Sequence, residues 1–178
     1  VGAIGGPMSA ATATALYAGL ITDTGRFQYE AVRPETLRLA AELRTLPFDH
    51  ARLAQALYED NSAAYLRFLG TALQRMHIED GLVWTWVTRD DLAESGVDIA
   101  ETDDLIDVVR TAREARVAAV IKQQRDGRFK VSLRSRGDHD VAAVAARFGG
   151  GGHRLAAGYT SDADLEGTVA ALRAALAG

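Results

Sequence analysis

Apolar residues recur along this chain at two different periods, and the change between them falls near residue 80. Residues 9 to 20, Ser-Ala-Ala-Thr-Ala-Thr-Ala-Leu-Tyr-Ala-Gly-Leu, are mostly small and apolar with good helix propensity. They run without proline into Ile21-Thr22-Asp23-Thr24-Gly25, so a buried helix ending at an acidic loop is predicted. Thr36 to Leu46, Asp49 to Tyr58 and Ser62 to Met76 place apolar residues three and four apart, with Pro47 between the first two. Three amphipathic helices follow. From Leu82 to Thr88 the period becomes that of a strand, with Trp84 and Trp86 two apart. Beyond it the pattern predicts a helix over Asp103 to Glu114, a buried strand over Val117 to Lys122, and a hairpin turn at Arg125-Asp126-Gly127-Arg128. The strand Phe129 to Ser135 comes next. Phe129, Val131 and Leu133 share one face, and Lys130, Ser132 and Arg134 the other. Asp140 caps a short helix over Val141 to Phe148, four glycines follow, and Ala156 to Ser161 and Asp164 to Leu176 read as a last strand and helix. The fold class is α/β: a helical part over residues 1–78, then a small mixed sheet packed with helices over residues 79–178, with the boundary near His77 to Gly81.

Composition narrows the chemistry more than the fold. The 178 residues contain no cysteine, which excludes disulfides, thiolate metal sites and cysteine nucleophiles and fits a reducing cytoplasm. No apolar run approaches the roughly 18 to 20 residues of a membrane span, and the glycine-rich start Val1 to Met8 lacks the basic and hydrophobic regions of a signal peptide. Net charge is −4, but it is unevenly distributed. Residues 122–154 hold eight basic side chains against three acids, a local excess of five positive charges in an otherwise acidic chain. Such a segment can focus a field on a phosphate-bearing ligand, although a solvated basic hairpin would show the same count.

Three features carry candidate chemistry. Gly149-Gly150-Gly151-Gly152 costs conformational entropy unless the backbone needs positive φ or a close approach, and Gly150, Gly151, Gly152 and His153 together could present backbone N–H groups and an imidazole to an anion. The alternative is a plain turn with a surface histidine. Arg134 and Ser135, near Ser132 and Arg136, put a guanidinium fork beside hydroxyl donors, as phosphate recognition requires, or else form a solvated strand edge. Asp23, between two threonines at the end of an apolar element, is a candidate oxygen ligand for a hard cation or, alternatively, a helix cap. His50, His77 and His139 have no ligand spacing.

Taken together, these stretches resemble one family. Ala15-Leu16-Tyr17-Ala18-Gly19-Leu20-Ile21-Thr22-Asp23-Thr24-Gly25-Arg26-Phe27 is similar to the last metal-binding motif of the DHH phosphoesterases. Val131-Ser132-Leu133-Arg134-Ser135 and Phe148-Gly149-Gly150-Gly151-Gly152-His153-Arg154-Leu155-Ala156-Ala157-Gly158 resemble the signature of the domain that accompanies DHH. The short connection between the halves resembles the nano-RNase and phosphoadenosine-phosphate phosphatase branch.

The resemblance implies a DHH-domain remnant before the substrate-binding domain. It also implies two manganese ions in the complete enzyme with Asp23 as one ligand, and a metal-bound hydroxide attacking phosphorus. Arg134 and Ser135 would grip the substrate and Gly150 to His153 would hold its phosphate. Implied substrates are short RNA or DNA oligonucleotides, linear dinucleotides and phosphoadenosine phosphate. The upstream motifs, including the Asp-His-His triplet, are not among these 178 residues, so the two-metal centre is not expected to assemble in this polypeptide alone. A non-catalytic nucleotide- or RNA-binding module remains the alternative. The apolar faces expected on the first half leave a homodimer open.

Overall fold

The computed structural model describes residues 8–177; Val1 to Pro7, the glycine-rich start, and Gly178 lie outside the described residues. Contacts group the chain into two units, residues 1–61 and 62–178. The helix predicted over Ser62 to Met76, placed with the first half by sequence, therefore goes with the sheet.

The described residues of the first unit form three helices, α1 (Ala10–Asp23), α2 (Pro34–Leu43) and α3 (His50–Tyr58). Ser9 caps α1 by accepting from the Thr12 amide, and Asp49 caps α3 by accepting from Arg52, each satisfying an amide that has no partner within its helix. Ala13, Ile21, Ala40 and Leu43 are buried, while Leu16, Leu37 and Leu57 are exposed.

The second unit is a six-stranded mixed sheet with helices on both faces. It begins with α4 (Ala63–Gln74), then β1 (His77–Glu79), β2 (Leu82–Val87), α5 (Arg89–Ser95), a 3₁₀ turn (Ile99–Thr102) and α6 (Leu105–Val109). β3 (Val117–Gln123), β4 (Phe129–Ser135), α7 (Val141–Ala146), β5 (Gly151–His153), β6 (Ala156–Ser161) and α8 (Leu165–Ala177) complete it. Strand order is β1-β2-β3-β4-β6-β5, and only the β2–β3 pair is parallel. A parallel pair needs a crossover, and α5 and α6 supply it.

Two elements unmarked by periodicity, β1 and α5, form at this crossover. Thr88 and Asp91 make a reciprocal capping box at the start of α5, and Gly96 closes it at φ 70°. The helix expected from Asp103 to Glu114 is shorter. After Val109 the amides of Thr111 and Ala112 bond to Val108 and Val109, tightening the chain so that β3 can start opposite Leu82.

Alternation along the strands sorts side chains between two cores. On one face, Leu82, Trp84, Ala119, Ile121, Val131, Leu133, Ala157 and Tyr159 pack with Val141, Val144, Val169 and Leu172 of α7 and α8. On the other, Val83, Val87, Ala118 and Val120 pack with Tyr65 and Phe68 of α4 and with Leu105, Ile106 and Val109 of α6. The buried Thr85 hydroxyl donates to the Ala72 carbonyl and ties α4 to β2. Among the described residues, this second core draws its strand residues from β2 and β3, and α6 reaches the border of β4 through Asp107. Among the described residues, no helix is long and apolar enough to cross a membrane.

Candidate functional site

Cross-strand register decides what lies on the Arg134 face of β4, β6 and β5. Arg134 is opposite Ala156, and Ala156 is opposite His153, so these three form one row with side chains on the same side. The next row is Ser132, Gly158 and Gly151, and beyond it stand Lys130 and Thr160. Two strand spacings, about 10 Å, separate the backbones of Arg134 and His153, a gap that an arginine and an imidazole can close around one group. Between them the floor holds no side chain larger than a methyl or hydroxymethyl.

Sterics set the glycines individually. A Cβ at Gly150 would strike the Gly158 carbonyl oxygen and stand 2.5 Å from Tyr159 Cβ. One at Gly152, whose φ is 142°, would lie 2.6 Å from both Ala156 O and Ala157 Cα. These two glycines let β5 lie against β6. Gly151 is different: a Cβ there meets nothing within 4 Å.

The run is also not a free loop of amides. Gly149 and Gly150 donate to the carbonyls of Ala146 and Ala145, closing α7, and Gly151 to His153 form an edge strand. A short strand was hidden because glycine has low strand propensity; pairing with β6 overrides it.

Arg134 and Ser135 point to opposite faces, as consecutive strand residues must. Ser135 is 3% exposed, and its hydroxyl accepts from the amides of Gly137 and His139 at 3.1 and 3.3 Å, organising the turn into α7. The Arg134 guanidinium is half-buried. Its Nη1 donates to the Leu133 carbonyl at 3.2 Å, and its Nε lies 3.7 Å from Asp107 of α6. Sequence reasoning missed Asp107, because nothing in the pattern says that α6 borders β4.

A second carboxylate from the same stretch, Asp103, accepts from Lys122 at 2.7 Å. Burial pushes the Lys122 ammonium below its ordinary pKa, and its hydrogen bond to Asp103 offsets this only in part. That hydrogen bond holds the Asp103 carboxyl below its usual range. Among the described residues neither Lys130 nor His153 has a carboxylate within 4 Å, although the charge of Lys130 helps to hold the Asp103 carboxyl down.

Asp23 belongs to the first unit, as the exposed last residue of α1. The turn after it is unusual: Gly25, Arg26 and Phe27 all have φ between 55° and 65°, and the Arg26 guanidinium lies 3.7 Å over the Tyr58 ring. No group of three His, Cys, Asp or Glu side chains among the described residues is placed to hold a metal. A cavity of about 290 Å³ lies elsewhere, with Asp80, Arg116, His139 and Arg173 in its walls; it includes neither Arg134 nor His153.

Residues 82–178 match the family described as the DHHA1 domain. Over 159 residues the chain is 35% identical to the bifunctional oligoribonuclease and PAP phosphatase NrnA of Thermus thermophilus, covering 88% of this chain and 47% of that protein. It is 30% identical to the protein of the same name from Bacillus subtilis, covering 86% and 49%. The chain therefore spans about half the length of these curated relatives. A solved exopolyphosphatase-related protein from Bacteroides fragilis superposes with a TM-score of 0.88 at 24% identity, covering 94% of this chain and 50% of that one, which shows the same fold.

Proposed function

Because this chain belongs to the DHHA1-domain family, we propose that its sheet unit binds the phosphate of a short oligonucleotide, linear dinucleotide or phosphoadenosine phosphate, within a phosphoesterase that hydrolyses them. The observation that carries this reading is the row Arg134–Ala156–His153 beside the bare row Ser132–Gly158–Gly151 on one face of β4, β6 and β5. The Nη edge of Arg134 supplies charge-assisted donors for two phosphate oxygens. His153 closes from the edge strand, and the side-chain-free floor lets a nucleotide approach the backbone. Lys130 adds positive charge along the same face. Ser135 contributes through the turn it holds. The glycines act by shaping β5 against β6 more than by offering amides. The relatives' names, which specify oligoribonuclease and PAP phosphatase activity, support the substrate class.

Manganese is the cofactor this reading implies, with Asp23 as one ligand. A hard cation takes about six oxygen ligands, and one exposed carboxylate does not make such a site. The described residues do not fit a two-metal centre by themselves, and no hydrolytic step is assigned to them. Incubation of this chain with short RNA and manganese is expected to give no turnover; turnover comparable to a complete enzyme would overturn the assignment. Binding is tested by calorimetric titration of phosphoadenosine phosphate into the full chain. Arg134→Ala removes a charge-assisted pair worth about 1.5 to 3 kcal/mol, so affinity should fall about 10- to 100-fold. Arg173→Ala, on α8, is the control. Equal affinity in both variants and the parent would refute the phosphate site.

A further inference from the structure

The basic side chains of this face differ in whether a carboxylate stands within 4 Å of them. Arg134 has a carboxylate beside it. Asp107 Oδ1 lies 3.7 Å from Arg134 Nε and 3.6 Å from Arg110 Nη1, on a side chain 46% exposed. It is placed there because Leu105, Ile106 and Val109 bury the opposite side of α6 over β2 and β3, which turns Asp107 toward β4.

Resting on the phosphate-site reading above, we propose that Asp107 is a specificity-determining residue: a fixed negative charge behind Arg134 that favours a singly charged phosphodiester over a doubly charged phosphate monoester.

Two effects of Asp107 compete. By engaging Nε it helps orient the guanidinium, which would strengthen binding of any phosphate. By standing near the bound anion it repels that anion, which weakens binding in proportion to ligand charge. Orientation does not depend on Asp107 alone, because Nη1 is also held by the Leu133 carbonyl at 3.2 Å, inside the β4 backbone. An exposed ion pair at 3.7 Å contributes little to fixing a side chain. Repulsion has no such substitute. A phosphate on the Nη edge lies roughly 7 Å from the carboxylate, within the screening length of about 8 Å at physiological salt. At that separation, in a half-solvated setting, each unit of ligand charge is expected to cost about 3- to 10-fold in affinity. Repulsion therefore dominates.

The consequence follows from the chemistry of phosphate esters. A diester carries one negative charge at neutral pH, and a monoester, with a second pKa near about 6, carries close to two. For the diester substrates, oligonucleotides and linear dinucleotides, hydrolysis raises the charge of the phosphorus centre by one, so a counter-charge behind Arg134 holds substrate in preference to product. Neither Lys130 nor His153 has a carboxylate within 4 Å among the described residues, so the discrimination is centred on Arg134.

The test uses two ligands that share a nucleoside and differ by one charge: adenosine 5′-monophosphate and its phosphate monomethyl ester, titrated at pH 8 into the parent chain, Asp107→Asn, Asp107→Glu and Arg134→Ala. Asp107→Asn should tighten both ligands and shift their affinity ratio about 3- to 10-fold toward the dianion. Asp107→Glu, which keeps the charge, should keep the parent ratio. If Asp107→Asn weakens both ligands or leaves the ratio unchanged while Arg134→Ala weakens both, the phosphate site stands and the role of Asp107 is refuted. If Arg134→Ala leaves both affinities unchanged, the site itself is refuted, and this inference with it.

Discussion

Alanine substitution along the glycine run separates what the backbone needs from what the open face needs. In Gly152→Ala the new Cβ would lie 2.6 Å from Ala156 O and Ala157 Cα, and the residue would sit at φ 142°, where L side chains are strained. The backbone strain costs on the order of 1 to 3 kcal/mol and forced overpacking a similar amount, so a loss of about 2 to 5 kcal/mol is expected as β5 moves from β6. Gly150→Ala meets the Gly158 carbonyl and Tyr159 without the positive φ, so its loss should be somewhat smaller. Gly151→Ala meets nothing within 4 Å and restricts the unfolded chain, so stability should hold or rise by about 0.4 to 1 kcal/mol. Its methyl projects onto the bare row beside Gly158, so nucleotide affinity should fall although the fold is intact. Urea denaturation of the three variants, paired with titration of a dinucleotide, reads both quantities. Equal destabilisation of all three would refute the steric account, and undiminished binding by Gly151→Ala would remove the open row from the site.

Other consequences follow from charge and burial. Burial works to raise the Asp91 carboxyl, but hydrogen bonds from Arg75 at 2.7 and 2.8 Å, and from Thr88, prevail and hold it below its usual range. Its contribution is thus present above about pH 3.9 and lost as pH falls through the folded value; Asp91→Asn should cost about 1.5 to 3 kcal/mol at pH 7 and less at pH 3, read from urea midpoints. Lys122 is 3% exposed and its partner Asp103 is 69% exposed. Lys122→Met leaves only a solvated carboxylate behind and should be neutral or stabilising, whereas Asp103→Ala strands a buried ammonium at a cost of about 3 kcal/mol; the reverse order of melting temperatures would contradict this. Burial pushes the Tyr159 phenol up to about 12. A raised folded pKa means stability present below pH 10 and lost as pH rises toward that value, capped at about 3 kcal/mol, and Tyr159→Phe should abolish that part of the alkaline loss in denaturation measured from pH 9 to pH 12.

Much of the fold was legible because it is local. The alternation of Phe129, Val131 and Leu133 with Lys130, Ser132 and Arg134 sorted the two faces of β4 before any partner strand was known, and Phe129, Val131 and Leu133 are buried as that alternation predicts. The apolar spacings of α2, α3, α4 and α8 placed those helices within a few residues. The glycine-histidine stretch and the strand before it marked the DHHA1 family, which residues 82–178 match.

Pairing and layering were not legible, since they depend on residues distant in sequence. Neighbours in the motif, Arg134 and Ser135 were assigned one task, but the two-residue repeat of a strand turns them to opposite faces and the buried Ser135 holds a turn. Only register with β6 brings Arg134 and His153 opposite the same Ala156. Coverage is a matter of volume: α4 and α6 fill the space over β2 and β3, which sets Asp107 of α6 at the border with Arg134 of β4. Periodicity in one segment specifies which side of that segment is apolar. Which other segment satisfies that side, and which polar groups are left outside the contact, is settled by the packing of the whole sheet unit.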